Sequence, residues 1–302
     1  MEWSAEFRVE PISDSDQACH AFDLQCNPAT GLFRYVDGFG NHVHYCNVRA
    51  PAQEIRLLAA CLVETHPAFR DLSAVSAALP LEMENPGLEI LDYLILRGPV
   101  RQVPELMPIL DALRPAPGAP LGRFVLEVSR FLHEKFEYEK DVTSSSSPVD
   151  DVLRLGKGVC QDFAHLMLAV LRYFSVPARY VSGYIHRPNQ ESQSHAWVEA
   201  WTPEQGWCGI DPTNDIQVND HFVKVAVGRD FTDVPPNKGV YRGVGEETIG
   251  ARVETRQLER LPPRSWQEQL PPMQVPLTAI RKTFHTEATA EEEHQQQHQE
   301  QQ

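Results

Sequence analysis

Residues 156 to 211 limit the folds open to this chain more than any other stretch. After Gly156-Lys157-Gly158-Val159, the residues Phe163, Leu166, Met167, Val170, Leu171 and Phe174 fall at the i, i+3, i+4, i+7 spacing of a helix with one apolar stripe. Pro177, beyond Ser175-Val176, ends that helical reading. From 195 the period changes to two. His195, Trp197, Glu199 and Trp201 share one parity, while Ala196, Val198 and Ala200, small and apolar, share the other. Thr202-Pro203-Glu204-Gln205-Gly206 reads as a turn, and Trp207, Gly209 and Asp211 continue as the returning strand. A helix with one side to bury is thus followed by a hairpin with one packed face.

Chemistry sits at the ends of these elements. Cys160 opens the helix, where unpaired backbone N–H groups and the positive end of the helix dipole favour thiolate over thiol. A cysteine at an arbitrary position is more often a small buried hydrophobe; its place at a helix start, with partners downstream, argues otherwise. If Trp201 pairs with Trp207, Trp197 lies opposite Asp211. His195 and Asp211 then become diagonal neighbours on one face, about 7–8 Å apart at Cα. A one-residue slip would put them on opposite faces. A thiol, an imidazole and a carboxylate, in that chain order, are the minimum parts of a thiolate acyl-transfer centre.

These three segments, Gly156-Lys157-Gly158-Val159-Cys160-Gln161-Asp162, Ser194-His195-Ala196-Trp197 and Gly209-Ile210-Asp211-Pro212-Thr213, resemble the transglutaminase-like superfamily of papain-type thiol enzymes. More narrowly, the chain resembles bacterial members with a β-rich N-terminal domain. Phe136-Glu137-Tyr138 ahead of the cysteine fits the same pattern, as do Val225 to Phe231 and Tyr241-Arg242-Gly243 after the aspartate. The resemblance implies an α+β fold, in which a papain/transglutaminase-like core (the Cys-bearing helix packed on an antiparallel sheet) follows a sandwich-like β domain. It implies Cys160 as nucleophile, His195 as general base and then acid, and Asp211 as orienting carboxylate. The backbone N–H of Cys160 would supply one oxyanion donor. Gln161 and Tyr138 are candidates for the second, and Trp197 is a cleft candidate, although tryptophans in a sheet are more often core. His165, one turn past Gln161, reads as an ordinary polar contact rather than a catalytic group. The expected activity is attack on an amide or peptide carbonyl through a thioester. Hydrolysis is favoured over transfer to a glutamine-accepting amine, and a non-catalytic peptide-binding scaffold is the remaining alternative. No cofactor is expected, and no acidic loop of the EF-hand type argues for calcium.

The division expected along the chain is a β-rich N-terminal domain over 1–86, a Pro-rich helical connector over 87–120, the transglutaminase-like domain over 121–262, and a Pro-rich then Glu/Gln/His-rich disordered tail over 263–302. Strands are read at Phe7–Glu10, Leu32–Val36, His42–Val48, Ile55–Glu64, Arg179–Ile185 and Ala251–Glu254. Helices are read at Gly87–Leu96, Leu106–Leu113, Leu121–Phe136 and Val149–Leu155. Relatives usually carry residues before the equivalent of Phe7, so one or two first strands are expected to be missing, leaving an unpaired sheet edge.

Charge sets the partners. Against 27 basic side chains stand 42 acidic ones, a formal net charge of −15. Such a surface repels nucleic acid and anionic membranes, so neither is expected as a partner; a peptide or protein amide substrate is. The N-terminal residues show no signal-peptide pattern, and cytoplasmic location is the expectation. Cys19, Cys26, Cys46, Cys61, Cys160 and Cys208 form no C-x-x-C pair. His42, His44 and Cys46 alternate on one strand but lack a fourth ligand, so no metal site is expected there. His294 and His298 sit in the tail and carry no site.

Overall fold

The computed structural model describes residues 2–49, 52, 54–66, 70–83, 86–144, 147–188, 194–242 and 250–260. The expected tail over 263–302, with His294 and His298, lies outside the described residues, as does Gly243.

The chain opens with β1 (Glu2–Phe7), β2 (Gln17–Asn27), β3 (Leu32–Val36), β4 (His42–Val48) and β5 (Arg56–Thr65). The readings at β3 and β4 match residue for residue. The reading at Phe7–Glu10 is displaced, because the inward set is Trp3, Ala5 and Phe7, which pack with Cys46 and Leu57. β2 has no counterpart among the strands read from sequence. Apart from Gln17 its side chains are only half-buried or exposed, so no clean alternation marks it. β2 and β5 form a long antiparallel ribbon. It lies against the sheet containing β4: the Phe22 ring stands 4.9 Å from that of His44.

Short helices α1 (Leu88–Leu91) and α2 (Met107–Ala112) lead into α3 (Leu121–Lys135). Then follow β6 (Glu137–Tyr138), α4 (Val149–Leu155), β7 (Lys157–Gly158) and α5 (Cys160–Tyr173). The rest of the described chain is β8 (Ala178–Ile185), β9 (Ser194–Thr202), β10 (Gly206–Asp211), β11 (Ile216–Gln217), β12 (Phe222–Gly228) and β13 (Asn237–Arg242). Ala251–Glu254 does not form a strand; only Val253 there makes a bridge.

A five-stranded antiparallel sheet, ordered β11-β10-β9-β8-β12, supports α3 and α5. Their shared core includes Phe124, Val128 and Leu132 of α3, Phe163, Leu166 and Val170 of α5, and the small face Ala196, Val198 and Ala200 of β9. α5 is more enclosed than one apolar stripe implies. Every residue from Gln161 to Arg172 is buried, so its flanks are covered as well as its sheet-facing side. Trp207 pairs with Trp201 and Ile210 with Val198, which is the register that aligns His195 and Asp211 on one face.

The four-stranded N-terminal sheet runs β13-β1-β4-β3. Its fourth strand therefore comes from beyond the five-stranded sheet, and a division at residues 86 and 262 does not follow the hydrogen bonding. The unpaired edge expected from missing first strands is not present at β1, which pairs with β4 on one side and β13 on the other.

Side-chain amides join the N-terminal region to the five-stranded sheet. β12 is an edge strand. Gln17 accepts from the Lys224 N–H (2.7 Å) and donates to its carbonyl (2.7 Å). Asn41 does the same at Val227, at 2.7 and 2.8 Å. Each carboxamide behaves as one more strand residue, so this edge is covered without a neighbouring strand. Beside it, Glu199 and Lys224 are both buried, 2.6 Å apart. Arg179 also binds Glu199 (2.6 Å) and stacks over Trp207, and Lys224 reaches Asp14 (2.8 Å). Burial works against the Glu199 carboxylate, but Arg179 and Lys224 outweigh it and hold it down to about 2.

Candidate active site

Cys160 is placed by the turn before it. α4 ends at Gly156, whose φ of 70° lies in the left-handed region. Tyr138 then pairs in parallel with Gly158. A Cβ on Gly158 would come within 2.7 Å of the Asp162 side chain, so only glycine lets the chain turn this tightly into α5. Asp162 closes the helix start by accepting the Val159 N–H (2.8 Å) and the Thr143 hydroxyl (2.6 Å). Cys160, half-buried, is the first residue of the helix.

His195 stands at the start of β9 and is buried. Its Nε2 lies 2.7 Å from Oδ2 of Asp211, and its ring also hydrogen-bonds Cys160. Burial opposes charge on this imidazole. The hydrogen bonds to Asp211 and Cys160 and their negative charges prevail, lifting His195 to about 10. An imidazolium beside the sulfur is the charge partner a nucleophilic thiolate requires. The Trp197 ring lies nearly parallel to that of His195 at 6.4 Å, and Phe222 closes a third side at 6.2 Å.

Asp211 is fully buried, so its carboxylate needs partners. It has them. Besides His195 it accepts from the Asn214 amide (2.6 Å) and the backbone N–H groups of Thr213 (2.9 Å) and Asn214 (3.4 Å). Helix α3 anchors this loop: Ser129 donates to Asp215 (2.7 Å), and His133 contacts the Thr213 carbonyl (2.8 Å). Asn214 in turn accepts from Arg187 (2.9 Å).

Cys160, His195 and Asp211 therefore converge. Tyr138 stays 45% exposed beside them; burial and the nearby Cys160 push its hydroxyl up, and Arg187 opposes this. Gln161 is buried at the second position of α5. Trp197 is withdrawn from the cleft. It is fully buried in a second core with Val181, Ile185 and Phe222, and it lines a cavity of about 50 Å³ behind the sheet. It supports the His195 ring by packing. His165 is structural: its Nε2 accepts the Phe231 N–H (3.2 Å), and burial with the nearby Arg172 presses it down to about 3, so it is neutral. Asn214 and Tyr180, the latter buried beside Cys160, were not singled out from sequence. An Asx-type turn in Asp211-Pro212-Thr213-Asn214 was the signal for the first.

His42, His44 and Cys46 do not converge on a common point. The imidazoles turn to Glu10, at 3.0 and 2.7 Å, and Arg34 clamps the same carboxylate at 2.8 and 2.9 Å. Cys46 instead lies against Cys26, and burial pushes its thiol up to about 12. Among the described residues no group of three His, Cys, Asp or Glu side chains could hold a metal ion.

Known proteins bear on this arrangement. Residues 113–212 match the model of the transglutaminase-like superfamily, and residues 3–64 match that of the bacterial transglutaminase-like N-terminal region. An uncharacterized protein of Mycobacterium leprae is 34% identical over 265 residues, covering 84% of this chain and 91% of its own length. A Pseudomonas aeruginosa protein-glutamine gamma-glutamyltransferase is 35% identical over 169 residues, 49% of this chain and 25% of that protein. In three dimensions the chain is similar to a candidate cysteine protease from Cytophaga hutchinsonii, with a TM-score of 0.70 and 22% identity over 80% of this chain and 81% of the other. With both family models and the long mycobacterial match in agreement, this chain belongs to the transglutaminase-like superfamily and carries the bacterial transglutaminase-like N-terminal region.

Proposed function

We propose that this chain is a thiol enzyme that cleaves amide or peptide bonds through a thioester on Cys160. One observation carries the reading: the His195 imidazole is held between Asp211 and Cys160 at the first turn of α5. In this reading the Cys160 sulfur attacks the carbonyl carbon, and the oxyanion forms against the Cys160 backbone N–H, with Gln161 or Tyr138 as second donor. His195 passes its proton to the leaving amine, and the thioester remains. Water, deprotonated by the now neutral His195, attacks the thioester and releases a carboxylic acid and the thiol. Asp211 keeps the ring oriented throughout and stabilises the imidazolium whenever it forms.

Hydrolysis is favoured over transamidation because it requires only water as acceptor, whereas transfer requires a site that selects an amine over water. The Pseudomonas relative's name keeps transfer as the second reading. A peptide or protein amide is the proposed partner, in a cytoplasmic setting that fractionation of the source cells tests. Among the described residues no helix is long and apolar enough to cross a membrane.

The deciding experiment incubates the protein with a pool of peptides and amides and looks for an acyl adduct on Cys160 by mass. The expected result is an adduct absent from Cys160→Ala, and ammonia or amine release from a glutamine peptide without added amine. An unmodified Cys160 together with equal turnover by Cys160→Ala overturns the proposal. Turnover that appears only with a primary amine selects the transfer reading.

A further inference from the structure

Arg187 sits where β8 has just ended, exposed and near enough to Tyr138 for its charge to act there. Among the described residues it forms no ion pair, and its one hydrogen bond is to Asn214 Oδ1 at 2.9 Å. That contact uses one of the five N–H donors of a guanidinium. The setting makes this notable. Lys157, the other cation beside the nucleophile's turn, lies 2.5 Å from Glu139 and 3.7 Å from Glu137. Elsewhere Arg8, Arg34, Arg70, Arg179 and Arg229 all reach carboxylates. Arg172, which also lacks a carboxylate, is satisfied by backbone carbonyls, whereas Arg187 keeps most of its donors free of protein partners among the described residues.

The hydrogen bonds also aim it. Arg187 binds Asn214, Asn214 binds Asp211 (2.6 Å) and Asp211 binds His195 (2.7 Å). The guanidinium is therefore tied, through two side chains, to the same frame that positions the imidazole. Tyr138 stands near it, close enough for the charges of both Arg187 and Cys160 to act on its hydroxyl. The guanidinium, with donors unused, thus stands near the group formed by Tyr138, Cys160 and His195.

We propose that Arg187 is a specificity-determining residue that receives a carboxylate carried by the amide substrate close to its scissile bond. This rests on the thiol-enzyme reading and narrows it to anionic substrates. Guanidinium suits the role because its planar fork binds carboxylate in a bidentate way and keeps its charge at any working pH.

Two alkylating reagents test it without knowledge of the natural substrate. Iodoacetate carries a carboxylate one carbon from the electrophilic centre; iodoacetamide is its neutral counterpart. In both, the Cys160 sulfur forms a thioether as iodide leaves. The rate constants are measured for the Cys160 peptide by mass, in the wild type, Arg187→Gln and Arg187→Lys. The expected result is that the iodoacetate-to-iodoacetamide ratio falls about 3- to 10-fold in Arg187→Gln, keeps part of its value in Arg187→Lys, and shrinks with added salt in the wild type. An unchanged ratio at a fast-reacting Cys160 overturns the anion site and leaves the enzyme reading standing. So does a parallel loss with both reagents, which would make Arg187 only a prop for Asn214. A Cys160 no faster than Cys19, with a ratio that still responds to Arg187, refutes the enzyme reading and keeps the anion site.

Discussion

Glu199→Gln probes the buried ion-pair cluster across β8, β9 and β12, and its effect should depend on pH in a defined way. The wild-type carboxylate lies fully buried between Arg179 and Lys224, which hold it at about 2 against its ordinary 4.5. Because its folded value is depressed, it contributes stability that is complete above about 4.5 and is lost as the pH falls through about 2. Converted at 1.36 kcal/mol per tenfold change, the span from 4.5 to about 2 corresponds to about 3 kcal/mol. The variant lacks this contribution and leaves buried Lys224 and half-buried Arg179 with one carboxylate fewer, a loss of the same order as breaking a buried pair. Denaturant unfolding followed by tryptophan fluorescence is a suitable assay, since Trp207 lies under Arg179 at 4.4 Å. At pH 7 the wild type should exceed Glu199→Gln by about 3 kcal/mol, and the gap should narrow steadily below pH 4.5. A gap under about 1 kcal/mol at pH 7, or one that stays constant down to pH 3, refutes the reasoning.

Three further outcomes follow from the same physics. The His195 ring, followed by NMR, should titrate near 10, and since its folded value is raised, its stabilising contribution is full below about 6.5 and disappears as the pH rises through about 10; a midpoint near 6.5 would contradict this. Asp211→Ala should bring that midpoint down toward the ordinary histidine range and slow amide turnover about 100-fold or more, measured as kcat/KM. Gln17→Ala leaves the Lys224 N–H and carbonyl without their partner and should cost about 2–4 kcal/mol in urea unfolding, whereas a loss below about 1 kcal/mol would mean that water replaces the amide freely.

What could be read in the sequence was what local periodicity encodes. The α5 stripe and the β9 alternation are strong because each element faces a dense core on at least one side, and the Trp201–Trp207 pairing fixed which residues share His195's face. β2 escaped notice because its ribbon is half-solvated on both faces, and hydrophobic alternation fades when neither face is buried. Long-range polar partners were beyond reach for another reason. Glu10 meeting His42 and His44, Gln17 meeting Lys224, and Arg187 meeting Asn214 depend on which strands become neighbours, and residue spacing along the chain does not encode that. Trp197 shares His195's parity and so looked available to the cleft. The second core behind the sheet, which absorbs it, is completed by Ile12 and Phe39 of the N-terminal region, far off in sequence.

β13 ties the order of synthesis to the order of assembly. The outer hydrogen bonds of β1 are made by residues 237–242, so the opening strand emerges from the ribosome long before its last neighbour. At 5–20 residues per second the interval is on the order of 10–50 s, time in which nascent β1 has one open side for a chaperone or another chain to occupy. The same threading means that cutting the gene between its two family regions cannot yield two self-sufficient pieces. The upstream piece would lack its closing strand, and the downstream piece would carry that strand with nothing to pair it.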